Sequence, residues 1–267
     1  MFQIDSYAYS NRLYSTHPGE KFAFSAATMT ICLASSSMIT ALAVTLLMAG
    51  AVVLQAGIPW RQYLKLMTLP ASFLLVGVAT VAVSVSVSGQ PEMYLFWFRA
   101  GSFSIGVRDQ DLAVAAGIFL KSLGATSCLY FLSLTTPLVE IISILRKLKA
   151  PTLFIELMSL VYRFIFVLAE TAEKIYTSQS SRLGYRTLKN GYFSLSQLIS
   201  SLFVRTLYRS RELSKTLSAR CYTGEIRVLE TRHDISRRNI VVIIVLELLL
   251  AALALYDGGG LIGRINS

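Results

Sequence analysis

The chain has 267 residues, of which 54% are hydrophobic and 15% are charged, and its formal net charge is +10. It is too apolar for an ordinary soluble domain and too long for a single membrane anchor. The sequence has no zinc-ligand spacing, aromatic RNA-binding motif or basic coiled coil, so we expect no nucleic-acid partner for its positive charge.

The first apolar segment, residues 22–56, is an uncharged run of 35 residues. As one helix it would extend about 52 Å, whereas the hydrocarbon core of a bilayer is about 30 Å thick. We therefore predict two short helices in this segment, with a turn near residues 34–37.

The next segments alternate between apolar runs and short polar connections. An aromatic and basic loop is predicted at 60–65, followed by a third crossing at 67–88. Residues 89–111 are predicted to be a loop, in which Trp97 and Phe98 suit the membrane interface. A fourth crossing is predicted at 112–134.

Basic residues concentrate in one long amphipathic stretch, 135–238, which precedes the last apolar run at 240–256. The stretch holds 17 of the 25 Lys and Arg residues but 8 of the 15 acidic ones, a net charge of +9. Positive charge beside membrane helices is typical of the cytoplasmic side. We therefore predict a cytoplasmic surface on which another protein docks.

The positive-inside rule tests this layout. If 22–56 forms two helices, the N-terminus, the 60–65 loop and the basic stretch lie inside, and the 89–111 loop and the C-terminal tail lie outside. The prediction is an all-α polytopic membrane protein with about five transmembrane helices and long cytoplasmic amphipathic helices. Its parts are an N-terminal segment with a four-helix membrane region (1–134), a cytoplasmic coupling-helix region (135–238), and a C-terminal membrane helix with its tail (239–267).

Two helices are predicted inside the basic stretch. Residues 153–169 are apolar, but Glu156 and Arg163 share one face, and a crossing here would move the following basic residues outside. We predict a helix that lies along the membrane interface or packs beneath the bundle. A second helix is predicted to begin near Ser194, because Ser194 and Gln197 have capping-box spacing.

The sequence offers no arrangement for catalysis or for metal binding. The two histidines, His17 and His233, have no ligand-spaced neighbours, so we predict no catalytic residue, metal site or cofactor. Glu247 is expected at membrane depth, where it could pair with Lys121, line a subunit interface or snorkel. Cys32 and Cys128 are expected to be buried as small hydrophobic residues.

Two short motifs, 179–186 and 218–224, are more informative. Each places an arginine, Arg182 or Arg220, at a predicted helix end, among small residues and shortly before a tyrosine. Small neighbours allow close approach of another protein, and a guanidinium can bind a carboxylate or backbone carbonyls. Alternatively, each arginine neutralises a helix C-terminus or an anionic headgroup. Two such settings 38 residues apart favour a paired docking device.

With these motifs in place, the chain resembles the transmembrane coupling component of energy-coupling factor transporters, in its CbiQ cobalt-uptake branch. The resemblance also covers 5–12, 17–21, 135–137 and 146–151. The segment 181–185 is similar to the first coupling motif of that family and 219–224 to the second. The second departs from the family pattern at Cys221, where the family usually has glycine.

The resemblance implies a non-catalytic scaffold in the cell membrane of a bacterium or archaeon. ATP would be hydrolysed by two cytoplasmic CbiO-type subunits, and their motion would pass to a CbiM-type substrate-binding membrane subunit, with a small CbiN-type accessory subunit. The residues implied to dock the ATPases are Ser181, Arg182, Gly184, Tyr185, Ala219, Arg220 and Cys221.

Three alternatives remain open. The same scaffold could serve nickel or a vitamin instead of cobalt. A stand-alone secondary transporter would need inverted repeats and broken helices with polar groups at the midplane, which these crossings lack. A membrane-embedded lipid-modifying enzyme would need clustered carboxylates or histidines at the interface.

Overall fold

The computed structural model describes residues 3–35, 37–82, 84–86, 96–100, 103–107, 109–222 and 236–265. The helices are α1 (Gln3–Ser10), α2 (Pro18–Ala34), α3 (Met38–Gly50) with a π-helical extension (Ala51–Gln55), α4 (Trp60–Ala82), α5 (Asp109–Thr135), α6 (Leu138–Lys147), α7 (Thr152–Ser181), α8 (Leu188–Ala219) and α9 (Arg237–Ile265). The strands are β1 (Ser84–Ser86), β2 (Phe96–Ala100) and β3 (Phe103–Val107).

The predicted helical membrane fold is confirmed. Among the residues that the structure describes, five helical stretches are long and apolar enough to cross a membrane: Met38–Gln55, Trp60–Val81, Asp111–Thr135, Thr152–Ser181 and Arg237–Tyr256. They include all of α7, whose residues 153–169 were predicted to lie along the membrane interface or to pack beneath the bundle. They do not include α2, whose 17 residues extend about 26 Å, slightly less than a typical hydrocarbon core.

The division of the first apolar run is confirmed. Helix α2 ends at Ala34 and α3 begins at Met38. The side chain of Ser37 accepts hydrogen bonds from the backbone N–H groups of Ile39 and Thr40, so Ser37 is the N-cap of α3.

The predicted loop at 60–65 is wrong, because these residues form the first turns of α4. The carbonyl of Pro59 accepts hydrogen bonds from the N–H groups of Gln62 and Tyr63, which starts the helix earlier than the charges suggested. Helix boundaries are set by such backbone contacts, whereas interfacial charges are compatible with either structure.

Part of the predicted 89–111 loop forms a small antiparallel sheet with strand order β1-β3-β2. The predicted crossing at 67–88 is too long, because α4 ends at Ala82 and residues 84–86 form β1. Trp97 pairs with Gly106 and Phe98 with Ile105 across β2 and β3. Aromatic and β-branched residues are common in strands, which explains why this short connection pairs.

The predicted start of the second cytoplasmic helix at Ser194 is also wrong. Helix α8 begins at Leu188, and the side chain of its N-cap, Thr187, accepts from the N–H of Asn190. The Asn190-Gly191 pair, which usually indicates a turn, is helical here. Ser194 is therefore free to contact another helix.

The chain divides into two compact units. The first comprises Met1–Pro137 and Arg232–Ser267, and the second comprises Leu138–Thr231. The core of the first unit lies where α3 and α5 pack together, with Val44, Met48 and Leu134 fully buried. Cys32 and Cys128 are buried in the same core, as predicted.

Several polar side chains meet at one end of the first unit. Asn11 and Lys21 both donate to the carbonyl of Thr135, at the end of α5. Glu20 accepts from the backbone N–H of Ser236 and from the side chain of Asn239, at the start of α9. The starts of α2 and α9 and the end of α5 therefore lie at the same end of the unit.

Glu247 has a different partner from those considered in the sequence. The hydroxyl of Thr28 on α2 donates to Glu247 Oε1 at 2.7 Å, so this contact joins α2 to α9. Among the described residues, Glu247 makes no ion pair with Lys121, which was one of the three alternatives considered for it.

A close approach of α2 and α5 at Gly124 gives a test of this packing. A Cβ added at Gly124 would lie 2.8 Å from Cys32 Sγ. We expect G124A to destabilise the chain by about 1–3 kcal/mol through overpacking, and C32A/G124A to recover part of that loss. Thermal unfolding of the detergent-solubilised protein measures both effects.

The matched control is G77A on α4, where an added Cβ meets nothing within 4 Å. G77A should leave the melting temperature almost unchanged. A G124A protein as stable as the wild type would show that α2 and α5 are not packed this closely.

Candidate functional site

In the second unit, α7 and α8 form an antiparallel hairpin. At its closed end, Gln179 Nε2 donates to the carbonyl of Ser194 at 3.0 Å. At its open end, the hydroxyl of Tyr222 donates to Glu156. Between these contacts, the two helices line a cleft formed by Leu160, Arg163, Phe164 and Val167 from α7 and by Arg209, Glu212, Leu213 and Thr216 from α8.

The two arginines of the sequence motifs are the C-caps of these helices. Arg182 ends α7 and Arg220 ends α8. Because the hairpin is antiparallel, they lie at its opposite ends. Helix α7 has 30 residues, so it spans about 45 Å between the two ends. We call residues 181–185 the first tip and residues 219–222 the second tip.

Both tips have the same backbone hydrogen bonds. In the first tip, the N–H of Gly184 reaches back to the carbonyl of Gln179, and in the second the N–H of Tyr222 reaches back to the carbonyl of Leu217. Each is the six-to-one bond of a Schellman motif, which satisfies carbonyls at a helix C-terminus. The structure thus gives both arginines the same local setting.

The residue after each arginine has a left-handed backbone. Leu183 has φ 59° and Cys221 has φ 55°. Glycine adopts this conformation without steric cost, whereas other residues lose roughly 1–2 kcal/mol. Cys221 therefore keeps a turn that glycine would adopt at lower cost.

Polar contacts inside the hairpin fix the first tip. The hydroxyl of Tyr185 donates to Gln179 Oε1, and the hydroxyl of Ser194 donates to the carbonyl of Gly184. A Cβ at Gly184 would lie 2.7 Å from Ser194 Oγ, so the small residue is required by α8 itself. The close approach expected at Gly184 is therefore made within the chain.

The second tip is fixed by the contact between Tyr222 and Glu156. The hydrogen bond to Glu156 is the largest cause that raises the pKa of Tyr222, followed by desolvation. The phenol therefore keeps its proton at neutral pH and can donate to Glu156, and this hydrogen bond is lost as the pH rises through the raised pKa of the phenol.

The tips leave their arginines available for a partner. Ser181, Arg182, Ala219, Arg220 and Cys221 are exposed, while Gly184 and Tyr185 are half-buried. Within the described part of the chain, neither the Arg182 nor the Arg220 guanidinium has a hydrogen bond or ion pair. Each can therefore donate to a carboxylate or to backbone carbonyls of another protein.

An apolar stripe on α8 is also uncovered within the second unit. Leu198 is buried, but Ile199 and Phe203 are 59% and 64% exposed. Tyr192 and Leu195 extend the same exposed stripe. The sequence periodicity predicted an apolar face here, and the structure shows that α7 covers only part of it.

The sequence did not identify the residues that shape the two tips. Gln179, Ser194 and Glu156 hold the tips through contacts over 15, 10 and 66 positions of the sequence. The one available signal was the isolated carboxylate of Glu156 in an apolar segment. The remaining contacts require the antiparallel pairing of α7 and α8 to be known.

Comparison with known proteins shows that the chain matches a protein family. The profile of the CbiQ family, described as cobalt transport protein, matches residues 10–230. The cobalt transport protein CbiQ of Rhodobacter capsulatus is 33% identical over 79% of this chain and 81% of its own length.

Two further relatives have different architectures or names. A protein of Methanocorpusculum labreanum, designated a fused cobalt transport protein CbiMQ, is 37% identical over 61% of this chain and 27% of its own length. The energy-coupling factor transporter transmembrane protein EcfT of Exiguobacterium sibiricum is 26% identical over 76% of this chain and 78% of its own length.

The raised pKa of Tyr222 can be measured with 3-fluorotyrosine placed at position 222. We expect the phenol to ionise at a higher pH in the otherwise unchanged protein than in E156Q, because the phenolate would form beside a carboxylate. Fluorine chemical shifts followed against pH report this difference. Identical titration curves in the two proteins would show that the Tyr222–Glu156 contact is absent.

Proposed function

The chain belongs to the CbiQ family of cobalt transport proteins, and we propose that it is the non-catalytic scaffold through which ATPase subunits drive cobalt uptake. In this proposal, the first and second tips dock on two cytoplasmic ATPase subunits. A separate membrane subunit binds the ion. The similarity to a protein named as an energy-coupling factor component supports this division of labour.

The observation that carries the proposal is the equivalence of the two tips. Arg182 and Arg220 occupy the same position in two identical helix-end hydrogen-bond patterns. Their separation by the length of a long helix suits two copies of one partner, because each copy can receive the same structure at its own site. A single partner with one groove would need only one of them.

The expected chemistry of the partner follows from the tips. Two exposed guanidiniums with no partner among the described residues favour grooves that present carboxylates or backbone carbonyls. The left-handed turn after each arginine ends the helix sharply, so the guanidinium stands at the extremity of its helix. Movement of the two ATPase subunits relative to each other would then move the two ends of the hairpin.

Helix direction supports a cytoplasmic position for both tips. The end of α5 and the start of α9 lie at one end of the first unit, so the chain between them crosses the membrane an even number of times. If α7 crossed, α8 would have to return, yet α8 carries six charged residues. We propose that neither crosses and that the basic region lies on the cytoplasmic side with the N-terminus.

The exposed apolar stripe of α8 supports a second protein partner for the scaffold. Ile199 and Phe203 are large and uncovered in the second unit. The fused relative from Methanocorpusculum labreanum carries the CbiM and CbiQ designations in one name. We propose a CbiM-type subunit as the protein that binds cobalt and contacts this scaffold, with a CbiN-type accessory subunit beside it.

Docking is tested by replacing both tip arginines with glutamate. Because the charge that faces the partner is reversed at both sites, R182E/R220E should lower the amount of co-purified ATPase by at least about tenfold. Each single variant should give an intermediate loss. Quantitative mass spectrometry of the affinity-purified, co-expressed complex measures this ratio.

The matched control is R205E/R211E, which reverses two exposed arginines in the interior of α8. It should retain most of the ATPase. Equal loss in the two double variants would show a general charge effect, and full retention in R182E/R220E would exclude docking through the tips.

Orientation is tested with single cysteines introduced by G191C and G259C in a C221S background. In intact cells, a membrane-impermeant maleimide should label the cysteine at position 259, and that at position 191 should react only after permeabilisation. The buried Cys32 and Cys128 should not contribute. The reverse pattern would refute the proposed topology.

A further inference from the structure

Two successive charged residues of α2 are buried at the polar end of the first unit. Glu20 is 8% exposed and Lys21 is 4% exposed. Charged side chains are rarely buried unless polar groups receive them, because they lose their hydration. Their contacts account for the burial.

Lys21 binds the end of α5. Its ammonium donates to the carbonyl of Thr135 at 3.0 Å and to the carbonyl of Leu13 at 3.1 Å. The C-terminus of a helix has unpaired carbonyls and a partial negative charge, so a cation is favourable there. Asn11 donates to the same Thr135 carbonyl at 3.3 Å.

Glu20 binds the start of α9. Its carboxylate accepts from the backbone N–H of Ser236 at 3.0 Å and from Asn239 Nδ2 at 3.3 Å. The N-terminus of a helix has unpaired N–H groups and a partial positive charge, so an anion is favourable there. The sign of each residue therefore matches the helix end that it contacts.

These two helix ends are the places where the second unit is attached to the first. The chain leaves α5 at Thr135 to enter the α6–α8 region and returns to the first unit before Ser236. Two neighbouring residues on one turn of α2 thus bind both attachments. No other pair of adjacent charged residues within the described ranges bridges these two ends.

We propose that Glu20 and Lys21 are positioning residues that hold the two attachments of the coupling region together, so that its motion is passed to the membrane helices. The inference rests on the proposed function. Loss of this link lets the hairpin move under ATP hydrolysis while the membrane helices follow less. The expected defect is therefore in coupling rather than in docking.

The contact between Glu20 and Asn239 allows a reciprocal exchange. In N239D, two carboxylates face each other across the position of the 3.3 Å contact, and like charges at that distance are unfavourable. In E20Q/N239D, the glutamine amide donates to the new carboxylate, so a donor and an acceptor are again paired. The exchange reverses donor and acceptor between positions 20 and 239 and keeps the contact between them.

The readout is cobalt taken up per ATP hydrolysed by the complete transporter in proteoliposomes. N239D should lower this ratio by at least about tenfold while ATP hydrolysis and the amount of co-purified ATPase stay near the wild-type values. E20Q/N239D should restore the ratio. A folding role would lower uptake and hydrolysis together, and that result, or an unchanged ratio in N239D, would overturn the inference.

The matched control is N190D, since Asn190 is exposed and is also the third residue of its helix. It adds the same charge at the same helical position, away from Glu20, and should leave the ratio unchanged. A loss as large as that of N239D would show that the added charge, rather than the lost contact, causes the defect.

A second measurement does not require any partner. Spin labels at positions 133 and 238 of the full chain, in a C32A/C128A/C221S background, report the distance between the end of α5 and the start of α9. We expect a narrow distribution in the parent, a broad one with N239D and a narrow one with E20Q/N239D. An unchanged distribution with N239D overturns the inference, whereas a failure of the wild-type chain to bind ATPase subunits would refute the proposed function alone.

Discussion

Buried charge beside apolar helices is stable only where polar groups of the chain receive it. In this protein, the polar groups that receive the buried charges are the helix ends at one end of the first unit. Lys21 contacts the carbonyl end of α5, and Glu20 contacts the N–H end of α9. This arrangement places three helix termini together. The position proposed for the basic region depends on it.

The second unit uses backbone geometry in a different way. Its two long helices end in the same hydrogen-bond pattern, with an exposed arginine at each C-cap. The antiparallel hairpin places these arginines at opposite ends, and internal contacts of Ser194 and Glu156 hold the turns that follow. Rigid turns at the ends of long packed helices are suited to transmitting movement, because displacement of one end moves the whole helix as a packed body.

The apolar runs of the sequence were sufficient to predict the helical membrane fold and the break between α2 and α3, since both follow from length and hydrophobicity. The motif arginines were also correctly expected at helix ends. The predicted start of α8 at Ser194 was too late along the chain. Thr187 caps the helix before Leu188, and the Asn190-Gly191 pair lies within the helix. The partners of Glu247 and Tyr222 could not be predicted, because they lie 219 and 66 positions away along the chain.

We propose that each arginine tip is held by its own ATPase subunit, and a reconstruction of the complete transporter at side-chain resolution would test this. We expect Arg182 and Arg220 each to lie within hydrogen-bonding distance of carboxylate or carbonyl oxygens, on two different ATPase subunits. Contact of both tips with one subunit, or a guanidinium that faced lipid or solvent with no neighbouring polypeptide, would refute the proposal.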